Sequence, residues 1–183
     1  MRQLKHHEKK LLKKVDLYSW KSDNNLREAK IVKKYHLQDR EDYIKYNKIA
    51  GNVTKLVAKL KDLPQSDETR FQISEQMLKR LYDMGIINST SSLSTVEKLT
   101  VSSFCRRRLP VVMVRLKMSE NLKEATGFIE QGHIRVGPNV ITDPAFLVTR
   151  TFEDYVTWVD TSKIKRTIMK YNNKLDDFDL LGN

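Results

Sequence analysis

Three consecutive arginines, Arg106, Arg107 and Arg108, stand immediately before Leu109 and Pro110. Guanidinium forks match phosphate oxygens two at a time, and a helix entered at Pro110 would add the partial positive charge of its N-terminus. Arg115, Lys117 and Lys123 extend the same charge along the next two helical segments. His133 and Arg135 alternate along a short β-type segment, on one face of it. The chemistry these side chains offer is the holding of a polyanion, with no bond made or broken. A blander reading competes with it, in which charge runs are solvated faces and a triple arginine anchors acidic neighbours such as Glu120 or Glu124.

Other residue types point to little catalysis. Cys105 beside the arginines could be a thiolate of lowered pKa, but no histidine is placed to serve it, and it reads as structural. His6 and His7 have no carboxylate or thiol at ligand spacing, so no metal site is expected there. The chain holds no GxxxxGK[ST] loop, no HExxH and no Gly-rich strand–turn–helix. No catalytic residues and no cofactor are expected, and the protein is read as a non-enzyme. A single cysteine permits no internal disulfide, which suits a reducing compartment. No apolar run approaches the roughly 20 residues of a membrane span. The first residues lack the apolar core of a secretory signal, and a Lys-rich stretch containing Glu8 and Asp16 is unlike a transit peptide.

The 183 residues carry 34 Lys plus Arg against 23 Asp plus Glu, a net charge of +11. The excess is concentrated. Residues 1–34 hold 11 basic and 4 acidic side chains, and residues 105–135 hold 7 and 3, with a nearly neutral body between them. Two basic blocks suggest two contact surfaces, or one surface reached from both ends of the chain. Residues 1–25 read as a basic arm. Leu4, Leu11, Leu12 and Val15 share a helical stripe, and Lys5, Lys9, Lys10, Lys13 and Lys14 supply the charge. Such an arm would order on RNA or a partner and double as a nuclear address.

Residues 26–104 read as a helical support. Ile49, Val53, Leu56, Val57 and Leu60 mark one amphipathic helix, with Asp39 as N-cap and Pro64 as its stop. A second, from about Glu68 to Met84, would bury Met77, Leu78 and Leu81 and close on Gly85. Tyr35, Tyr43 and Tyr46 read as core or boundary residues. The Ser/Thr-rich run 88–95 reads as a linker. From residue 105 to 170 the expected order is helix, helix, small antiparallel sheet. A helix over Pro110 to Lys117 either starts at the proline or is kinked by it. Ser119 is the expected N-cap of a helix burying Leu122, Ala125, Phe128 and Ile129, closed by Gly132. Strands are expected at His133–Val136, Val140–Thr142, Phe146–Val148 and Tyr155–Val159, with a turn at Gly137–Pro138–Asn139. Residues 171–183 form an acidic-apolar tail, in which Asp176 to Leu181 read as a short docking peptide. The fold class is α+β.

Arg107–Arg108–Leu109, Val114–Arg115–Leu116, Ala125, Gly132–His133–Ile134–Arg135–Val136, Asn139 and Pro144 with Leu147–Val148 together resemble the S4-type RNA-binding domain family. The resemblance implies the alpha-L arrangement, two helices packed on a small antiparallel sheet, and adds Asn139 to the RNA-facing residues. Upstream, the helices from about Arg27 to Ile87 resemble the N-terminal half of the small-subunit ribosomal protein of this family. LKHHEKKLLKKVD, DPAFLVTR, FEDYVTWVD and SKIKR resemble, more narrowly, Imp-type components of the nucleolar small-subunit processome. The narrower likeness implies a nucleolar, nuclear ribosome-biogenesis factor bound to U3 small nucleolar RNA and pre-ribosomal RNA. It also implies an acidic M-phase phosphoprotein-type (Mpp10) scaffold and other processome proteins as partners. Its implied task is pairing U3 RNA with pre-18S rRNA in the 5′ external transcribed spacer. The alternatives are a structural small-subunit ribosomal protein, or an accessory RNA-binding or docking subunit without annealing activity. On this reading Arg106, Arg107 and Arg108 changed together to Ala should weaken RNA binding and annealing with the fold intact.

Overall fold

The long helix α3 (Arg40–Asp62) organises the N-terminal half. Glu41 and Asp42 in its first turn complement the helix dipole, and Leu63, held extended before Pro64, ends it. Its buried face is Tyr43, Tyr46, Ala50, Val57 and Leu60, while Ile49 and Leu56 are exposed. The apolar stripe expected from Ile49 and Leu56 is thus rotated toward the tyrosines. Large rings bury more area than aliphatic side chains and keep a hydroxyl for a polar partner. The structure, a computed structural model, describes residues 2–14, 26–64 and 66–174. Before α3 come α1 (His6–Lys14), none of whose residues is buried, and α2 (Leu26–Tyr35), tied to α3 by Arg40 on Glu28. The arm beyond Lys14 and the acidic-apolar tail beyond Lys174 lie outside the described residues.

Helix α4 (Glu68–Asp83) starts where the Asp67 carboxylate accepts the Thr69 N–H. It closes on Gly85 at φ +70°, with the Gly85 N–H on Tyr82 O and the Ile86 N–H on Leu81 O. The Ser/Thr-rich run expected as a linker instead ends in a short helix, α5 (Ser94–Glu97), anchored by the fully buried Val96. Leu93 and Leu99, on either side of it, pack into the same cluster. Helix α6 (Val101–Cys105) stops before the arginines, and α7 (Leu109–Arg115) starts after them, with Pro110 in its first turn. The proline therefore opens a helix, where its missing N–H costs nothing.

Helix α7 closes on Lys117, a non-glycine at φ +59°, with the Met118 N–H on Met113 O. That closure displaces the next helix. The N-cap of α8 (Leu122–Glu130) is Asn121, not Ser119, and Glu124 takes the first-turn position expected of Glu120. Gly132 at φ +72° turns the chain into β1 (Ile134–Val136). Strands β2 (Asn139–Val140) and β3 (Val156–Trp158) flank β1 in an antiparallel sheet of order β2–β1–β3. Ile134 and Val136 point inward, and Arg135 pairs across to Val140 and Thr157. The segment Phe146–Val148, expected as a strand, joins none of these. It pairs with the arginine turn, the Leu109 N–H on Phe146 O and the Val148 N–H on Arg107 O. Two further helices follow, α9 (Arg150–Glu153) and α10 (Lys163–Tyr171).

The architecture is α+β: ten helices and one three-stranded sheet among the described residues. Two apolar clusters hold it. One gathers α2 to α6 around Tyr46, Val57, Val96 and Phe104; the other gathers α7, α8 and the sheet around Leu109, Met113, Ile129 and Ile134. Each fully buried side chain of this size contributes about 1.5–3 kcal/mol. The halves meet at the arginine turn, where Arg108 reaches Asp42 and Tyr46 of α3; within the first cluster the rings of Tyr46 and Phe104 stack at 5.7 Å.

Candidate nucleic-acid interface

The three arginines part company in the structure. Arg106 is exposed at the C-terminus of α6. Arg107 and Arg108 are buried, 6% and 2% exposed. Arg108 Nη1 donates to Asp42 Oδ2 at 2.7 Å and approaches the Tyr46 hydroxyl at 3.5 Å, locking α7 onto α3. Arg107 Nε donates to Val148 O at 3.0 Å, and its Nη1 to Glu153 at 2.9 Å. The expected fan of three phosphate-holding forks is corrected accordingly: two of them are internal staples. Extended backbone at Arg108, which precedes the first turn of α7, turns its side chain toward α3 instead of solvent. The blander reading of the arginines as anchors holds for these two, with Asp42 and Glu153 as the acids in place of Glu120 and Glu124.

The remaining expected residues lie on the outer surface. Arg115 is half exposed and shares Glu153 at 2.5 Å. Lys117 and Lys123 are exposed and, like Arg106, make no ion pair among the described residues. Lys117 holds a left-handed backbone that glycine adopts freely and other residues reach only at a cost of roughly 1–2 kcal/mol. Arg135 donates to Thr157 Oγ1 and to Asp160 at 2.6 Å, and Lys165 binds the same carboxylate. The hydrogen bond from Lys165, reinforced by Arg135, holds the Asp160 carboxyl below the usual aspartate range. His133 is half-buried, its Nδ1 hydrogen-bonded at 3.1 Å to Ser162, the N-cap of α10. Asn139 is exposed in β2. On the arm, Lys5, Lys9, Lys10, Lys13 and Lys14 are exposed.

Arg106, Arg107 and Arg115 are brought together on the wall of one open cleft of about 660 Å³, where the end of α4 meets α6, α7 and α9. Lys117, Lys123, His133, Arg135 and Asn139 do not line it. Two cations that sequence reasoning misses do, Lys98 and Arg150. Arg150 follows a segment read as a strand, in a stretch whose net charge is slightly negative, and nothing local distinguishes it. Its Nε and Nη2 donate to the carbonyls of Tyr82 and Ile87, and its guanidinium lies 4.2 Å over the Tyr82 ring. Arg107 Nη2 is buried with no acceptor among the described residues, an arrangement that ordinarily costs about 1–3 kcal/mol. Behind the wall, Cys105 is fully buried, and burial pushes its thiol up to about 11, opposite to an activated thiolate. Among the described residues no group of three His, Cys, Asp or Glu side chains could hold a metal ion.

A helical half stapled through Arg108 to a two-helix-plus-sheet unit is the architecture of the S4 class. Residues 3–106 match the family model for the ribosomal protein S4/S9 N-terminal domain, and residues 107–153 match that for the S4 domain. The boundary falls between the exposed Arg106 and the buried Arg107. The chain is 56% identical over 180 residues to the U3 small nucleolar ribonucleoprotein protein IMP3 of Saccharomyces cerevisiae, covering 98% of each. It is 51% identical over 181 residues to the protein of the same name in Homo sapiens, again covering 98% of each. The small ribosomal subunit protein uS4 of Ignicoccus hospitalis is more distant, 26% identical over 145 residues, which are 79% of this chain and 86% of that one. The chain belongs to the family of the U3 small nucleolar ribonucleoprotein protein IMP3.

Proposed function

We propose that the protein is a non-catalytic RNA-binding component of the U3 small nucleolar ribonucleoprotein, acting in the nucleolus in early small-subunit assembly. Its relatives carry that ribonucleoprotein in their names. On this reading U3 small nucleolar RNA and pre-ribosomal RNA lie against the outer face of α7 and α8. Arg106, Lys117 and Lys123 take phosphates there, Arg115 and Arg135 share themselves between phosphate and an internal carboxylate, and His133 and Asn139 border the strand.

One observation carries the reading. Lys117 keeps a strained left-handed backbone at the close of α7, where glycine would be cheaper. Strain retained at an exposed cationic position points to a use for the side chain. Cationic side chains along α7 and α8 screen the repulsion between two phosphate backbones. That lowers the barrier to pairing U3 RNA with its pre-ribosomal target, and no nucleotide hydrolysis is needed. An acidic scaffold of the M-phase phosphoprotein type fits the basic arm, whose helix α1 has no buried residue and leaves its lysines free for a partner.

Lys117→Gly separates strain from function. Stability in urea should stay level or rise by up to about 1 kcal/mol. Affinity for a U3-derived RNA should fall, and its salt dependence should flatten by about 0.7 log units per decade if one phosphate is no longer neutralised. Unchanged RNA affinity in this variant would remove Lys117 from the interface and with it the support for the reading. Strand-annealing rates measured on the same variant test the pairing role separately.

A further inference from the structure

Lys98, Arg106, Arg107, Arg115 and Arg150 line the cleft between α4, α6, α7 and α9 against a single carboxylate, Glu153. That carboxylate is already shared by Arg107 and Arg115. Arg150 is held by neutral carbonyls and a ring face, so its charge meets no carboxylate among the described residues. Arg107, itself 6% exposed, keeps an Nη2 without an acceptor among the described residues. The cleft is therefore built with positive charge that the fold does not neutralise, and concave low-dielectric walls focus such a field.

We propose that this cleft binds the sugar–phosphate backbone of an unpaired RNA strand, without regard to base identity. The inference rests on the RNA-binding reading above and extends it to Lys98 and Arg150, residues outside the α7–α8 face. Guanidinium groups set at several points along a cleft suit a run of phosphates. Ser89, Thr95 and Ser103 on the same walls offer hydroxyl partners for ribose 2′-OH groups. None of the described residues lining the cleft is aromatic, so its walls offer no ring to stack a base and the contact reads backbone alone. A single strand is flexible enough to set successive phosphates against one concave wall, whereas a paired stem holds its phosphates on a rigid cylinder. Arg115 lines the cleft at the end of α7, two residues before Lys117, so the cleft adjoins the start of the α7–α8 series.

The test uses the full chain with oligouridylate, oligoadenylate and a fully paired hairpin, and compares Lys98→Glu with Lys123→Glu. Lys98 is exposed and makes no ion pair among the described residues, so the fold is expected to survive, as circular dichroism would check. Lys98→Glu should weaken both single strands equally, about tenfold at low salt, and flatten their salt dependence by about 0.7 log units per decade, with little change for the hairpin. Full single-strand affinity in Lys98→Glu, alongside a loss in Lys123→Glu, overturns the cleft assignment and leaves the RNA reading standing. A loss confined to the hairpin overturns the claim for unpaired strands. A loss confined to binding of a polyglutamate peptide overturns it too and assigns the cleft to an acidic protein. Wild-type protein with no affinity for any of the three RNAs removes the functional reading itself.

Discussion

Adjacent arginines of identical chemistry do opposite work here. Arg106 faces water, while Arg107 and Arg108 are drawn inward by Glu153, Val148 and Asp42. Truncating one partner of a buried pair leaves the other charge stranded. Arg108→Ala should therefore destabilise the protein by about 3–5 kcal/mol in urea titrations. Arg106→Ala should stay within about 0.5 kcal/mol of wild type and lose RNA affinity. The triple replacement expected to spare the fold would not spare it, because Arg108 ties the C-terminal unit to α3 and Arg107 is a buried partner of Val148 and Glu153 within that unit. If Arg108→Ala unfolded at the wild-type denaturant concentration, the staple would be energetically idle. The positive charge of each arginine is plain in the sequence. Whether it faces solvent depends on Asp42, which lies 66 residues away, and no local pattern reports such a partner.

Two glycines in left-handed conformations close helices, and their surroundings separate them. A Cβ at Gly85 would stand 2.7 Å from Arg107 Cζ, a guanidinium pinned by Glu153 and Val148. A Cβ at Gly132 would meet only ordinary neighbours, at 3.8 Å from Val140. Gly132→Ala should cost about 1–2 kcal/mol, the backbone penalty alone. Gly85→Ala should cost about 2–4 kcal/mol because crowding adds to that penalty. Equal losses in thermal melts would show that crowding against Arg107 adds nothing. Both closures are legible as glycines following an apolar period, and so is Pro110 at a helix start. The cap of α8 is not, because Lys117 closes α7 in a conformation that its residue type does not advertise. Helix α9 spans only four residues, too short to show a period. Helix α10 has no buried residue.

Across the whole molecule the two halves share one seam, formed by Arg108 on Asp42, Arg150 on the end of α4, and Gln38 on Glu130. Such a seam should make unfolding a single cooperative event. Trp158 fluorescence in a Trp20→Phe background and helical circular dichroism should give coincident urea transitions. Two separated transitions would mean that the halves fold independently and the seam is weak. The α+β class, the order of the main helices and strands, the family and the concentration of basic charge are all readable from the residues alone. They follow from period, turn residues and local motif, which act within a few positions of the chain. Folding settles the rest: which cations remain available to a ligand, that Lys98 and Arg150 join Arg106 and Arg115 on one wall, and that Phe146–Val148 pairs with the arginine turn and not with the sheet. A side chain's exposure and its counter-charge are set by chain segments distant in sequence, and only the packed molecule brings those segments within reach of one another.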